Sequence, residues 1–456
     1  MRTTAARRGR WGLAVGGLAL ALVLAGCAEG STPTVVNSAP SDPKAVSGTV
    51  KWWGWQSRTN IDGWIAAFNK SYPNVKIDYK YIDFTNYNAS LRTGVASGGD
   101  SGPDVYNIAP GDLANRYGRF ADDLTPLLTS SLGADWKNKI SAQGAEAFTI
   151  NEKMVAGPVG SGAAGTMVVN KTMLDGYGLQ PPKTLQEWQQ VCSTLKAKGK
   201  LCFVHGAKDA WINKDVFQAI MGDVAPGKFT DAIAGKVKWT DPAFVTGMGI
   251  WKDMFGNGIM QPGALGVAQY PDAQQKFLRQ EAAMIAQGTW EMPLYTTAGM
   301  TGQLSSAGIK NPKPFTALYA DFPDVTNGGE PRQLFAATDF GLALSAKSKA
   351  KTPAQALIAW LTMSPEGQQV VADGLLNIPS LAGIEPKPEA LVDEAVQKAS
   401  IADLIKKVQT APEARYLPYA DLDAALGDAQ AAVASGGKTP EQALTDVEKV
   451  SSSLDR

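Results

Sequence analysis

The sequence predicts an α/β chain folded into two lobes or domains. Three observations lead there. Segments with a strand's apolar run or two-residue alternation are interleaved with segments whose apolar residues recur at helical spacing, the order that builds helix-covered sheets. About 430 of the 456 residues follow a short leader, too many for one ordinary hydrophobic core. No unit recurs with a period of about 20–50 residues, so a solenoid does not account for the length.

Taken in order, the chain opens with Arg2, Arg7, Arg8 and Arg10, then an apolar run from Trp11 to Ala25, then Leu24-Ala25-Gly26-Cys27. A basic head, a short apolar stretch and small residues before a cut are the parts of an export signal. The run is about 15 residues, and a membrane-spanning helix needs about 20. A cysteine directly after Leu-Ala-Gly resembles the lipobox of bacterial lipoproteins. That implies a signal peptide over 1–26, removal after Gly26, lipid on Cys27 and a chain held on the outer face of the cell membrane, since several acyl chains hold where one binds only marginally. The alternative is a plain cleaved signal with an incidental Cys. Head, core and box agree in order and spacing, which favours lipidation. Residues 27–47, rich in Ser, Pro, Thr and Ala, read as a flexible tether, with folded structure beginning at Thr49.

Val50 to Trp53 suit a buried strand that breaks at Gly54-Trp55-Gln56. Asn60 is the expected N-cap of a helix whose apolar face is Ile61, Trp64, Ile65 and Phe68. Tyr72-Pro73-Asn74 stops it, and Val75, Ile77 and Tyr79 alternate as a strand. This strand–helix–strand unit opens a mostly parallel sheet. Asp104 to Ile108, Thr166 to Val169 and Ala282 to Ile285 are further strands. Thr184-x-x-Glu187 is a capping box ahead of Trp188, Val191 and Leu195, and Thr439-Pro440-Glu441-Gln442 is another. Asp241-Pro242, Thr352-Pro353 and Ser364-Pro365 read as N-cap and first-turn proline pairs.

Composition narrows the function. There are 43 basic and 43 acidic residues, and setting aside the four leader arginines leaves 39 against 43, which is no footprint for nucleic acid. His205 is the sole histidine, so it cannot build a zinc site with the few cysteines present or supply a Ser-His triad, and it reads as a surface or core imidazole. Cys192 and Cys202 are spaced to close a small loop. An oxidising compartment permits a disulfide there, the alternative being two buried thiols.

Five segments, in order, resemble the large carbohydrate-binding family of extracellular solute-binding proteins of ABC importers, the family that includes maltose-binding protein. They are Val50-Lys51-Trp52-Trp53-Gly54-Trp55 with the helix end Phe68-Asn69-Lys70-Ser71-Tyr72-Pro73; Ser97-Gly98-Gly99 through Pro103-Asp104-Val105 with Gly118-Arg119-Phe120-Ala121-Asp122-Asp123-Leu124; and Gly157-Pro158-Val159 with Val168-Val169-Asn170-Lys171, Gly178 to Thr184 and Glu187-Trp188. The last two are Phe277 to Met284 leading to Gly288-Thr289-Trp290, and Trp360 to Gln368 with Ile378-Pro379. The resemblance implies the type II periplasmic-binding-protein fold: two α/β lobes, a hinge crossed several times and a cleft between the lobes. It puts the N-terminal lobe at 48–162 plus 339–385 and the C-terminal lobe at 163–338 plus 386–456. Crossings are expected near Gly162 to Gly165, near Thr338-Asp339 and near Gly383. It also implies capture of a sugar or oligosaccharide, closure, and delivery to ABC permease subunits by a monomer that needs no cofactor or metal and is not an enzyme.

A sugar offers apolar C–H faces and a rim of hydroxyls, so its receptor needs flat aromatics and fixed polar groups. Trp55 lies past the end of the first strand, where open α/β sheets bind ligands, and Gln56 follows it; core packing beside Trp53 is the alternative. Asp112 is open between accepting hydroxyl hydrogen bonds and capping the next helix. Trp211 loosely matches an aromatic contact loop of the family. Trp290 is the leading candidate, because the family's equivalent Trp stacks on sugar, while its neighbour Glu291 departs from the commoner small residue. Asp339 lies at an expected crossing. Tyr416 and Tyr419 lie where the family often adds a late aromatic, and Tyr419 is taken as the candidate. Trp64, Trp188, Trp251 and Trp360 sit at helical spacing among apolar residues and read as core. Specificity is expected in loops 205–215 and 258–275. Three other readings stay open: a receptor for a glycerophosphodiester, peptide or ferric complex; an exported glycoside hydrolase, which needs two carboxylates at a set separation; and a structural lipoprotein without a ligand.

Overall fold

The computed structural model describes residues 42–328, 334–376, 378–411 and 413–455. The leader and Cys27 lie outside the described residues. The chain is already packed before Thr49: Asp42 caps a helical turn, Pro43–Ala45, and the apolar side chain of Val46 is buried in the first core.

Strands form where the sequence alternates or runs apolar. The larger sheet has the order Ile378–Pro379, Gly157–Ala164, Phe335–Leu344, Val105–Ile108, Gly48–Gly54, Val75–Tyr81, with Glu413–Ala414 added beside the start of Phe335–Leu344. The first unit is parallel, as its strand–helix–strand order requires. The sheet as a whole is mixed rather than mostly parallel. The cause is chain direction. Gly157–Ala164 leaves the first core and Phe335–Leu344 returns to it, so the two lie antiparallel. The smaller sheet has the order Ala317–Asp321, Thr166–Asn170, Ala282–Gln287, Leu201–Val204, with only the last pair parallel.

Gly165 joins the two sheets. Its φ of +88° is left-handed backbone that glycine tolerates, and a Cβ there would sit 2.8 Å from the Phe335 ring.

Packing follows these strands. One core gathers side chains from Val46 to Val159 and again from Phe340 to Leu375. Trp52, Trp64 and Trp360 belong to it, and the Trp52 indole donates to Asn107 Oδ1 at 2.8 Å. Two further clusters cover opposite faces of the smaller sheet: Met167 and Val169 point into one, Val168 into the other, the two-residue alternation of a strand. Trp188 and Trp251 are buried in the first of these, where Cys192 and Cys202 form a disulfide.

Helix ends follow the caps with three corrections. Ser57, not Asn60, occupies the N-cap of Arg58–Ser71, a full turn earlier, because the chain turns directly after Gln56. Lys351–Met363 starts from Ala350 rather than Thr352, with the Ala350 N–H donating to Ser348 Oγ at 3.0 Å. Thr439 and Gln442 make both bonds of a capping box. Thr184 accepts from the Glu187 N–H, but the Glu187 carboxylate accepts from Lys183 N, one residue outside the cap.

Candidate binding site

A cavity of about 400 Å³ opens where the first core meets the other two. One wall comes from the first core's strand ends. Trp55 and Gln56 follow Gly48–Gly54, Arg58 and Asn60 open the next helix, and Tyr81 and Phe84 follow the neighbouring strand. The opposite wall carries Trp211 in the first turn of Ala210–Val224, then Tyr270, Gln274, Trp290, Glu291 and Gln303. Asp339, on the returning strand, and Arg415 and Tyr416, after Glu413–Ala414, also line it. Ligands lie outside the carboxyl ends of strands in open α/β sheets, and the first wall obeys that rule.

Aromatic rings dominate both walls and meet across the cavity. Trp55 is edge-on to Phe84, Tyr87 and Phe340, with centroids 5.1, 4.8 and 5.5 Å away. Phe84 in turn is edge-on to Trp211 of the far wall at 5.5 Å. Trp211 stacks nearly parallel to Tyr270 at 5.9 Å and stands 6.0 Å from Trp290. Beside these rings Thr85 donates to Asp209 Oδ2 at 3.0 Å, a direct bond between the walls. The Trp290 ring folds back over Gly288, where a Cβ would lie 2.1 Å from it, so the glycine two residues before Trp290 is a packing requirement.

Polar groups are held in two clusters. In the first, Trp290 Nε1 donates to Tyr270 Oη and Gln287 Oε1, both at 2.9 Å. Tyr270 Oη donates to Glu291 Oε1 at 2.9 Å, and Gln274 and Gln303 each donate to the same carboxylate at 3.0 Å. Burial raises the Glu291 pKa, and these three donors lower it only in part. In the second cluster, Arg415 grips Asp215 with two bonds of 3.1 and 2.9 Å and donates to Tyr416 Oη at 2.9 Å. Burial pushes the Asp339 carboxyl up to about 6 despite the nearby Arg415 charge, with Asp215 pushing the same way. Among the described residues Trp211 Nε1 is buried without a hydrogen-bond partner.

Of the sequence candidates, Trp55, Gln56, Trp211, Trp290, Glu291 and Asp339 line this one cavity. Asp112 and Tyr419 do not. Asp112 opens the short helix after Gly111 and pairs with Arg116 at 2.9 Å, and Tyr419 occupies the N-cap of Ala420–Ala434 against the second core. Sequence reasoning missed Phe84, Tyr270, Gln274, Gln303 and Arg415. Tyr270 lies inside the loop 258–275, but nothing there distinguishes it from a surface tyrosine. Tyr416, not Tyr419, is the late aromatic in the lining, its hydroxyl donating to the Asp339 backbone carbonyl at 3.2 Å. Among the described residues no group of histidine, cysteine and carboxylate side chains is arranged to hold a metal ion, and no helix is long and apolar enough to cross a membrane.

Residues 54–369 match the family model described as bacterial extracellular solute-binding protein. A multiple sugar-binding protein of Streptococcus mutans is 24% identical over 299 residues, which is 63% of this chain and 65% of that protein. The chain spans less than two thirds of the length of the curated relatives it matches. A structure described as a chitin oligosaccharide binding protein superimposes with a TM-score of 0.69 at 21% identity, covering 89% of this chain and 98% of the other. A structure from work on xylan utilization by Caldanaerobius polysaccharolyticus gives 0.69 at 20% identity, covering 88% and 99%. At such identities the shared property is the fold, and it is the mixed α/β architecture described above.

Proposed function

Because the chain belongs to the bacterial extracellular solute-binding protein family, we propose that it captures a sugar or oligosaccharide in the aromatic cavity and releases it unaltered to the permease of an ABC importer. The observation that carries this reading is the composition of the walls. Trp55, Phe84, Trp211, Tyr270, Trp290 and Tyr416 surround one cavity together with fixed amides and carboxylates. Flat rings match sugar C–H faces, and fixed polar groups reject guests that lack the matching hydroxyl. Relatives named for binding multiple sugars and chitin oligosaccharides support the same class.

The lobes are 48–162 with 339–385 and 163–338 with 386–456, and Gly165, Asp339 and the segment around Gly383 are their hinges. Closure about those hinges brings Phe84 to Trp211 and strips water from the guest. Cys27 carries lipid and tethers the receptor outside the cell membrane. The protein performs no chemistry on its guest. A thermal-shift screen of the soluble mature chain against mono- and oligosaccharides, with anionic and peptide controls, tests the proposal. A rise in melting temperature with sugars and not with the controls supports it, since a ligand that binds only the folded state raises stability by mass action. A rise only with peptides or phosphodiesters replaces it with one of the other solute classes.

A further inference from the structure

Charge inside the cavity is unevenly committed. Four charged residues line it: Arg58, Arg415, Glu291 and Asp339. Both cations are bound to carboxylates that do not line it. Arg58 pairs with Asp62 at 3.0 Å, and Arg415 holds Asp215 through two bonds. Among the described residues Glu291 has no cationic partner, and Asp339 has only a long pair with Arg415, which Asp215 already holds. Glu291 accepts only from the neutral donors Tyr270, Gln274 and Gln303. The Asp339 carboxylate, on a residue only 8% exposed, accepts no hydrogen bond among the described residues, and its nearest cationic nitrogen, Arg415 Nη1, is 3.9 Å away. A buried carboxylate without a hydrogen-bonding partner is costly unless a donor or cation arrives. The surrounding rings add to this, because aromatic faces attract a cation. The Arg415 guanidinium already lies 4.1 Å over Trp290 and 4.9 Å over Tyr416.

We propose that the guest is a sugar bearing a basic nitrogen, an amino sugar or a glycan containing one, whose ammonium group donates to the Asp339 carboxylate. This rests on the sugar reading above and narrows it. A neutral hydroxyl supplies one hydrogen bond there, whereas an ammonium supplies the bond and a second positive charge where Arg415 alone serves Asp215 and Asp339, and charge-assisted bonds are roughly twice as strong. Anionic sugars are disfavoured by the same two carboxylates.

Calorimetry with matched pairs tests it: glucosamine against glucose, and the trisaccharide of β-1,4-glucosamine against its N-acetylated form, at pH 7. The aminated member is expected to bind at least about tenfold more tightly, and Asp339→Asn is expected to abolish that preference while a melting curve shows the chain still folded. Asp112→Asn, outside the cavity, keeps the preference. Equal or weaker binding of the aminated members, or a preference that survives Asp339→Asn, overturns the charge inference and leaves the sugar reading standing. If no member of either pair binds, and the thermal screen answers only to non-sugar solutes, both readings fall together.

Discussion

The guanidinium of Arg415 lies 4.1 Å from the centre of the Trp290 ring while both its outer nitrogens are held, one by Asp215 and one by Tyr416. The indole most expected to stack on a guest is therefore packed on one side by a cation. Trp290 has two tasks: it lines the cavity, and it keeps Arg415, Tyr270 and Gln287 in register through its face and its N–H. Trp290→Ala is expected to weaken sugar binding at least about tenfold, or about 1.4 kcal/mol, by calorimetry. Arg415→Ala is expected to lower stability by about 3–5 kcal/mol in denaturant unfolding, because it leaves Asp215 buried without its partner. Unchanged affinity in the first variant removes Trp290 from the site.

Trp211→Phe separates binding from stability. The indole N–H has no partner among the described residues, so the substitution costs the free protein packing area and no hydrogen bond. The complex loses in addition the wider face that an indole offers a guest, about 1 kcal/mol. The expected readout is a smaller ligand-induced rise in melting temperature with little change in the unliganded value. A large fall in the unliganded value with an unchanged ligand effect contradicts the assignment.

The sole histidine gives a clean pH prediction. His205 is fully buried between Phe203 and Trp251, with Nε2 bonded to Asn213 Oδ1 at 2.7 Å, and burial pushes its pKa down to about 4. The unfolded chain binds that proton first, so stability is present above about pH 6.5 and is lost as pH falls toward 4, by about 3 kcal/mol for this group. Asp339 acts in the opposite sense. Its carboxyl is pushed up to about 6, so its contribution is present below about pH 4 and lost as pH rises through 6. The imidazole carbon-bound proton signals should titrate with a midpoint near 4 in the folded protein; a midpoint near 6.5 refutes the burial argument.

Gly165→Ala is expected to destabilise by about 1–3 kcal/mol, since the residue has φ +88° and a Cβ meets the Phe335 ring. Gly176→Ala, at the end of Lys171–Gly176 with nothing within 4 Å of a Cβ, serves as the control and should be neutral or mildly stabilising. Equal effects in urea unfolding would show that Gly165 is not a special position.

The architecture was more legible in the sequence than the site. Helix faces such as Ile61, Trp64 and Phe68, and proline-led caps such as Ser364-Pro365 and Thr439-Pro440, are local signals set by periodicity and capping chemistry. Strand direction was not legible, because whether Phe335–Leu344 runs with or against Val105–Ile108 depends on where the chain has been between them. The site was half legible for the same reason. Trp55 and Trp290 follow strands closely enough to be placed by rule. Tyr270, Gln274, Gln303 and Arg415 reach the cavity only through long-range packing, and each looks like an ordinary surface residue in its own stretch. Asp112 had the right chemistry after a strand, but its carboxylate is taken by Arg116.

Calorimetric titration of the intact mature chain with an oligosaccharide from the thermal screen, followed by chromatography of the sugar recovered from the cell, tests the central claim most directly. The account predicts saturable binding of one sugar per chain, loss of that binding in a Trp211→Ala, Trp290→Ala double variant, and recovery of the sugar at its original length. Shortened sugar, or saturable binding untouched by removal of both indoles, would contradict it.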